Sequence, residues 1–283
     1  MISAALRPRG PFSLRLSGRL SSDATRVLTD GVFVAALTAG GVGRAWQQPD
    51  GVVQLRAHDE GGIDELRFVL ALDDDHSPFL ERFCRDPLLG AATRHLRGLR
   101  PLRLSTVTQA LLRAVCGQLV QSSRARAIER NVIRAATPAL PGRRLHRPPD
   151  PGALGRFAPA ELRRLGLGMR RAACLVRLCR SIDLERLREL PTAAAADRLE
   201  RERGLGPWSV GVVCLQGLGR FERGLVGDLG LIKLCSTLRG RWVEAAETAE
   251  LLEPYGEWRG LASVYLLAAF HVGLVPLPPP ASA

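Results

Sequence analysis

The chain has 283 residues, 46% of them hydrophobic and only 5% aromatic, enough for one large or two ordinary domains with a core built mainly of Leu, Val and Ala. A net charge of +12 and a pI near 10.8 point to a polyanionic partner, nucleic acid before acidic membrane, although an Arg- and Ala-rich chain whose only lysine is Lys233 also fits codon bias. The longest apolar run, Leu261 to Phe270, is too short to span a bilayer, and the N-terminus has no continuous apolar stretch of the signal-peptide kind, so a cytoplasmic location is expected.

Residues 1 to about 75 read as mainly strand. Phe12, Leu14 and Leu16 alternate with polar residues, as do Val53 and Leu55, and then Leu66, Phe68, Leu70 and Leu72. Breaks fall at Thr29–Gly31, Gly40–Gly41, Pro49–Gly51 and Gly61–Gly62, which predicts a small antiparallel sheet with hairpin-like links. Asp73–Asp75 ends the sheet and reads as a solvated turn or, less simply, a cation site. Ser77-Pro78 and Asp86-Pro87 are helix starts, with helices expected near 78–84 and 87–96.

From Ser105 the period is helical. Val107, Leu111, Ala114, Val115 and Leu119 form one apolar face. Thr137 to Gly152, rich in Pro, Arg and His, is expected to be a loop whose Arg143, Arg144 and Arg147 are either solvated or placed to touch phosphate. Helices follow at Pro159–Leu165, after the Gly166-Leu167-Gly168 turn, at Ala193–Arg201, near Arg241–Leu252, and over a last segment carrying Trp258, Leu261, Ala262, Tyr265 and Ala269. The tail, Pro276 to Ala283, is Pro-rich and expected to be disordered. The whole predicts an α+β chain: a mixed sheet and helix domain over 1–98, then an all-helical domain over 99–275. Cys84, Cys116, Cys174, Cys179, Cys214 and Cys235 form no CxxC and read as buried free thiols, with no metal or iron–sulfur site.

Gly204 to Lys233 is the stretch most suggestive of chemistry. Gly204-Leu205-Gly206 makes a tight turn between two helices, where bare backbone N–H groups and a helix N-terminus meet an anion. Pro207 fits the first turn of the second helix, and the Ser209 hydroxyl adds a possible phosphate contact. Asp228 stands alone between Gly227 and Leu229, twenty positions after Trp208. It is placed either to cap the next helix or to return a carboxylate to the mouth of the hairpin.

In this order the parts resemble the helix–hairpin–helix superfamily of DNA glycosylases, and within it the alkylbase branch, DNA-3-methyladenine glycosylase II. The segments that carry the resemblance are Ala114-Val115-Cys116-Gly117-Gln118-Leu119-Val120, Leu165-Gly166-Leu167-Gly168-Met169-Arg170-Arg171-Ala172, Gly204–Ser209, and Gly227-Asp228-Leu229-Gly230-Leu231 with Lys233. Glu257-Trp258-Arg259 is similar to the family's Pro-Trp-Arg, with Glu in place of Pro. The resemblance spans about residues 10 to 270.

It implies a monomeric, cofactor-free and metal-free hydrolase of base-excision repair, associated with the nucleoid, whose partner is double-stranded DNA holding alkylated bases. Asp228 would be the catalytic carboxylate, stabilising a cationic, oxocarbenium-like sugar after the damaged nucleotide is flipped out. Gly204, Leu205, Gly206, Ser209 and Lys233 would hold the DNA backbone. Leu119 would wedge into the gap, although its apolar face fits core packing too. Trp208 would line the base pocket, where strand-cutting relatives carry a lysine; packing between helices is the alternative. With Trp there, the resemblance implies a monofunctional enzyme. Leu266-Leu267 stands where a second pocket aromatic would be expected.

Overall fold

The computed structural model describes residues 1–19, 21–118 and 120–276. The first part is a five-stranded antiparallel sheet, in the order β1-β5-β4-β3-β2. The strands are β1 Ile2–Leu6, β2 Arg26–Thr29, β3 Val32–Ala36, β4 Val42–Gln47 and β5 Val53–Ala57. The turns that join β2 to β3, β3 to β4 and β4 to β5 fall at Thr29–Gly31, Gly40–Gly41 and Pro49–Gly51, where the sequence places breaks.

Two stretches read as strand are helix instead. Leu14–Gly18 forms α1, because the Ser13 hydroxyl accepts from the Leu16 amide at 3.3 Å and closes the first turn. Glu60–Val69 forms α2, where Asp59 accepts from the Gly62 amide at 2.9 Å. Leu66, Val69 and Leu70 are all buried, a spacing of three and four that outweighs the Leu66–Leu72 alternation. Gly62, read as a break, lies inside α2; a Cβ there would stand 2.8 Å from both Ala57 Cβ and Leu37 Cδ1, so glycine lets the helix lie close on the sheet. The inner sheet face (Phe33, Ala45, Val53, Leu55) packs with Leu14, Leu66 and Leu70 into one core.

The rest is helical: α3 Ser77–Arg82, α4 Gly90–His95, α5 Val107–Gly117, α6 Ser122–Ala136, α7 Pro151–Gly155, α8 Pro159–Arg164, α9 Met169–Ser181, α10 Thr192–Glu200, α11 Pro207–Val212, α12 Leu229–Arg239, α13 Glu247–Leu252 and α14 Arg259–His271. α4 begins three residues later than Asp86-Pro87 suggests, because the Asp86 carboxylate caps a turn at Leu88 and Leu89 at 2.9 and 2.7 Å. α11 runs on into a π-helical turn, Val213–Leu218. The helix expected from Arg241 starts only at Glu247, since Glu247 pairs back to Arg241 and Arg239 across a turn. The expected tail falls outside the described residues after Pro276.

α5 is the central helix, packed against α6, α9, α11 and the π-helical turn. Around it Leu111, Val115, Leu175, Val213, Leu231 and Tyr265 form the large core, which also takes Phe79 from α3 and Ala92 from α4. Five of the six cysteines are buried and all six are free thiols. Asp73–Asp75, read as the end of the sheet, is a turn engaged by its neighbours: Asp73 with Arg67, Asp74 with Arg103, and Asp75 with the Ser77 amide.

Two buried polar clusters join sheet to helices. Arg100, 1% exposed, donates to the Pro11 carbonyl at 2.9 and 3.1 Å and to the carbonyls of Arg9 and Ala71. Arg113 on α5 bonds Asp23 at 2.6 Å, Glu129 on α6 at 3.0 Å and Gln216 in the π-helical turn at 3.0 Å. α5 is thereby fixed to the N-terminal segment on one side and to the continuation of α11 on the other.

Candidate active site

The hairpin consists of α10, the turn 201–206 and α11. Gly204 has φ +99°, a left-handed conformation that glycine adopts without strain, and a Cβ there would stand 2.9 Å from Cys174 Sγ on α9. Gly206 is extended, with open space where a Cβ would go, and Pro207 opens α11. The turn is braced from outside: Arg177 pairs with Glu202 and donates to the Arg203 carbonyl at 2.8 Å. That pairing, with Arg198 adding to it, holds the Glu202 carboxyl below the usual range. Gly204 and Gly206 are exposed, and Leu205 turns its side chain inward.

The Ser209 hydroxyl is not on this surface. Ser209 is 2% exposed and accepts from Gln118 Nε2 at 2.9 Å, while the same amide donates to the Gly204 carbonyl at 2.8 Å. The expected phosphate contact through Ser209 is therefore corrected: its position one turn into α11 faces the end of α5, and the hydroxyl ties the hairpin to Gln118. Arg171, at the start of α9, donates to the Gln118 carbonyl at 2.9 Å and holds the same loop from the other side. Leu119, the expected wedge, lies outside the described residues.

Trp208 and Asp228, twenty residues apart, are brought together. Trp208 Nε1–H donates to Asp228 Oδ2 at 2.9 Å, and Asp228 Oδ1 accepts from the Gly230 amide at 2.8 Å as the N-cap of α12. Asp228 thus caps the next helix and also bonds the indole of Trp208, which stands in the first turn of α11. Each carboxylate oxygen has an N–H donor. The loop before it is fixed by Gly227, φ +85°, whose amide donates to the buried Thr248 hydroxyl at 2.8 Å. Lys233 lies further along α12 with its side chain exposed.

Two close approaches to this pair were not readable from the sequence, although it singled out the residues. At Gly117, the last residue of α5, a Cβ would collide with Trp208 Cη2 and lie 3.3 and 3.4 Å from Cζ3 and Cζ2. At Gly230 a Cβ would overlap Leu267 Cδ2 and stand 3.1 Å from Asp228 Oδ1. The Gly117-Gln118 pair was visible as a motif, but nothing in one dimension says that its glycine makes room for an indole. Half-buried Leu267 lies beside the acid, where the resemblance led to the expectation of an aromatic.

The same architecture occurs in solved structures. It matches the 3-methyladenine DNA glycosylase of Archaeoglobus fulgidus with a TM-score of 0.81 at 19% identity, over 95% of this chain and 98% of that one. The chain has the helix–hairpin–helix glycosylase fold. The 8-oxoguanine glycosylase/lyase of Clostridium acetobutylicum, solved with double-stranded DNA, shares this glycosylase fold with a TM-score of 0.79 at 17% identity, over 96% of this chain and 99% of that one. In sequence, the chain is 27% identical to the DNA-3-methyladenine glycosylase of Bacillus subtilis over 205 residues, which is 69% of this chain and 67% of that protein. No protein-family profile matches the chain. The superfamily resemblance read from the sequence holds.

Proposed function

We propose that the chain is a monofunctional DNA glycosylase of base-excision repair. In this reading it hydrolyses the N-glycosidic bond of alkylated purines of the 3-methyladenine and 7-methylguanine type and leaves an abasic site. The observation that carries the proposal is the hydrogen bond from Trp208 Nε1 to Asp228 Oδ2 beside the hairpin. A half-buried aspartate whose carboxylate is fixed by two donors, beside a Gly-rich hairpin, suits the stabilisation of positive charge on a sugar held there. The sequence likeness to a DNA-3-methyladenine glycosylase supports the substrate class.

The hairpin glycines, with Lys233 nearby, hold the backbone of duplex DNA beside the lesion. Flipping the nucleotide costs a few kcal/mol, and costs least where pairing is already weakened. As the glycosidic bond lengthens, the sugar gains oxocarbenium character. The Asp228 anion stabilises that charge and orients the attacking water. An alkylated purine carries positive charge and leaves without strong acid assistance, so one carboxylate suffices. The indole of Trp208 presents an electron-rich surface to a cationic base. The resemblance implies a lysine in strand-cutting relatives where this chain has Trp208, and Lys233 is the only lysine in the chain, which supports a reaction that stops at the abasic site.

The test is base release from methylated duplex DNA by the wild type and by Asp228→Asn. Free 3-methyladenine or 7-methylguanine from the wild type alone supports the proposal. Release of 8-oxoguanine with strand cutting would replace it with the activity named for the Clostridium relative. Salt-dependent DNA binding with no release from any damaged duplex would reduce the chain to a damage-binding protein.

A further inference from the structure

The sheet's outer face carries charge that no partner neutralises among the described residues. Arg44 on β4 and Arg56 on β5 are both exposed and lie directly opposite each other in register. Like charges at that spacing repel and destabilise a sheet. Among the described residues, neither guanidinium has a hydrogen bond or an ion pair. Most other arginines near the sheet do have partners, as Arg67 with Asp73 and Arg103 with Asp74 show.

The neighbouring cross-strand pair is Trp46 with Gln54, two residues along the same strands and on the same face. The Trp46 ring is half-buried and its indole N–H is unbonded among the described residues. On the far side, Ser3 and Ala5 of β1 pair with Arg56 and Gln54. The open part of the face thus includes Arg44, Arg56, Trp46, Gln54, Ser3 and Ala5, with Val32 and Thr29 beyond Trp46, and no acid among them. Val34 and Val42, next to Arg44, are covered by Leu140 and Leu145 of the 139–146 hairpin, whose exposed tip adds Arg143 and Arg144. None of these residues belongs to the Trp208–Asp228 site.

We propose that this outer sheet face, built on Arg44, Arg56 and Trp46, is a second nucleic-acid surface that binds single-stranded DNA. Paired guanidiniums supply sites for backbone phosphates, and the adjacent indole supplies a platform on which an unpaired base stacks. The face of a five-stranded sheet offers no helix or two-stranded ribbon to enter a duplex groove, whereas unstacked bases lie readily against it. In function, the surface would keep an unpaired strand next to an enzyme whose proposed substrate is duplex. The proposal does not depend on the assignment of Asp228.

The experiment uses the full chain and fluorescein-labelled oligo(dT), with an undamaged duplex of equal length as the comparison, both followed by fluorescence anisotropy across a salt series. The variants are Arg44→Ser with Arg56→Ser, and Trp46→Thr, which keeps strand propensity. The arginine pair variant is expected to lose about tenfold or more in oligo(dT) affinity and to lower the salt slope by about 1.4, two phosphate contacts at ~0.7 each. Trp46→Thr is expected to lose about tenfold, as for one stacked base. Duplex affinity and the rate of base release stay as in the wild type for both variants. Removing two opposed charges does not weaken the sheet, so thermal unfolding of the arginine variant should match or exceed the wild type; a lower unfolding temperature would itself contradict an unneutralised pair. Unchanged oligo(dT) affinity overturns the proposal. An equal loss on the duplex also overturns it, by making the face a duplex contact, and an effect of the arginines without one of Trp46 overturns the single-strand assignment.

Discussion

Substituting Gly117 by Ala tests whether the closeness of α5 to Trp208 matters for the carboxylate. The new methyl would overlap Trp208 Cη2, with Cζ3 and Cζ2 also tight against it at 3.3 and 3.4 Å. Gly117 ends a helix and does not sit at positive φ, so the backbone accepts Ala and the perturbation falls on the ring. To restore ordinary contact the indole tip must move by roughly 1 Å, and overpacking of this kind costs about 1–3 kcal/mol where the surroundings resist. The other end of the indole holds Asp228 Oδ2 at 2.9 Å, and a comparable shift there spoils the bond. A hydrogen bond to a charged group is worth about 1.5–3 kcal/mol. If its loss is felt mainly in the transition state, the single-turnover rate of base release falls about 10- to 100-fold, at 1.4 kcal/mol per decade.

Trp208→Phe removes both the N–H and the colliding ring edge, so on its own it should cost about the same. The two effects are therefore not additive, and Gly117→Ala should change the rate little in the Trp208→Phe background. The assay is single-turnover release from methylated duplex for the wild type, both single variants and the double variant, with DNA affinity measured in parallel and expected to be unchanged. Equal losses from Gly117→Ala in both backgrounds would refute the reasoning and leave Gly117 a residue of helix-end stability only.

Other perturbations follow from buried groups. His76 is 1% exposed with both ring nitrogens unbonded, and burial, then Arg100 and Arg103, depress its pKa to about 3. The native state therefore stays neutral while the unfolded chain takes a proton below about 6.5, so stability falls as pH drops from 6.5 toward 3, at up to about 1.4 kcal/mol per pH unit. Urea melts at pH 6.5 and 5 should show a smaller drop for His76→Leu than for the wild type; equal drops would remove His76 from the account. Arg113→Met leaves the buried carboxylates of Asp23 and Glu129 without their shared partner, and should cost about 3–5 kcal/mol in denaturant unfolding. Gly219→Ala combines φ +69° with a collision against the Arg103 guanidinium and should lower the unfolding temperature by several degrees, read by calorimetry.

The parts of the fold legible in the sequence were those with local signals. The Gly-rich turns of the sheet, the helical stripes of α5, α9 and α14, and the Gly-Leu-Gly-Pro hairpin carry their instructions within a few residues, and the structure follows them. α1 and α2 were misread because Leu14–Leu16 and Leu66–Leu72 satisfy a two-residue alternation as well as a helical one. The deciding contacts, the caps from Ser13 and Asp59, are single hydrogen bonds that compete with the pattern. At the candidate site, spacing and resemblance singled out Trp208 and Asp228, which the structure brings together. They were not enough to place Ser209, which points inward because Gln118, ninety-one positions earlier, needs its hydroxyl.

That failure has a physical cause. In this hairpin nearly every contact that fixes the acid is long-range: Gln118 to Gly204 and Ser209, Gly117 to Trp208, Trp208 to Asp228, Thr248 to Gly227 and Leu267 to Gly230. Together they tie the end of α5, α11, α13 and α14 to the hairpin and to the 227–230 segment, so the position of the carboxylate is a property of how α5, α11, α12, α13 and α14 pack. Helices of 6 to 13 residues around one acid leave few rigid spans to absorb an error. A volume change at Gly117 or Leu267 should therefore reach Asp228 as readily as a change in the hairpin itself, which is why the double-mutant cycle at Gly117 and Trp208 probes the site more directly than another substitution of an exposed arginine would.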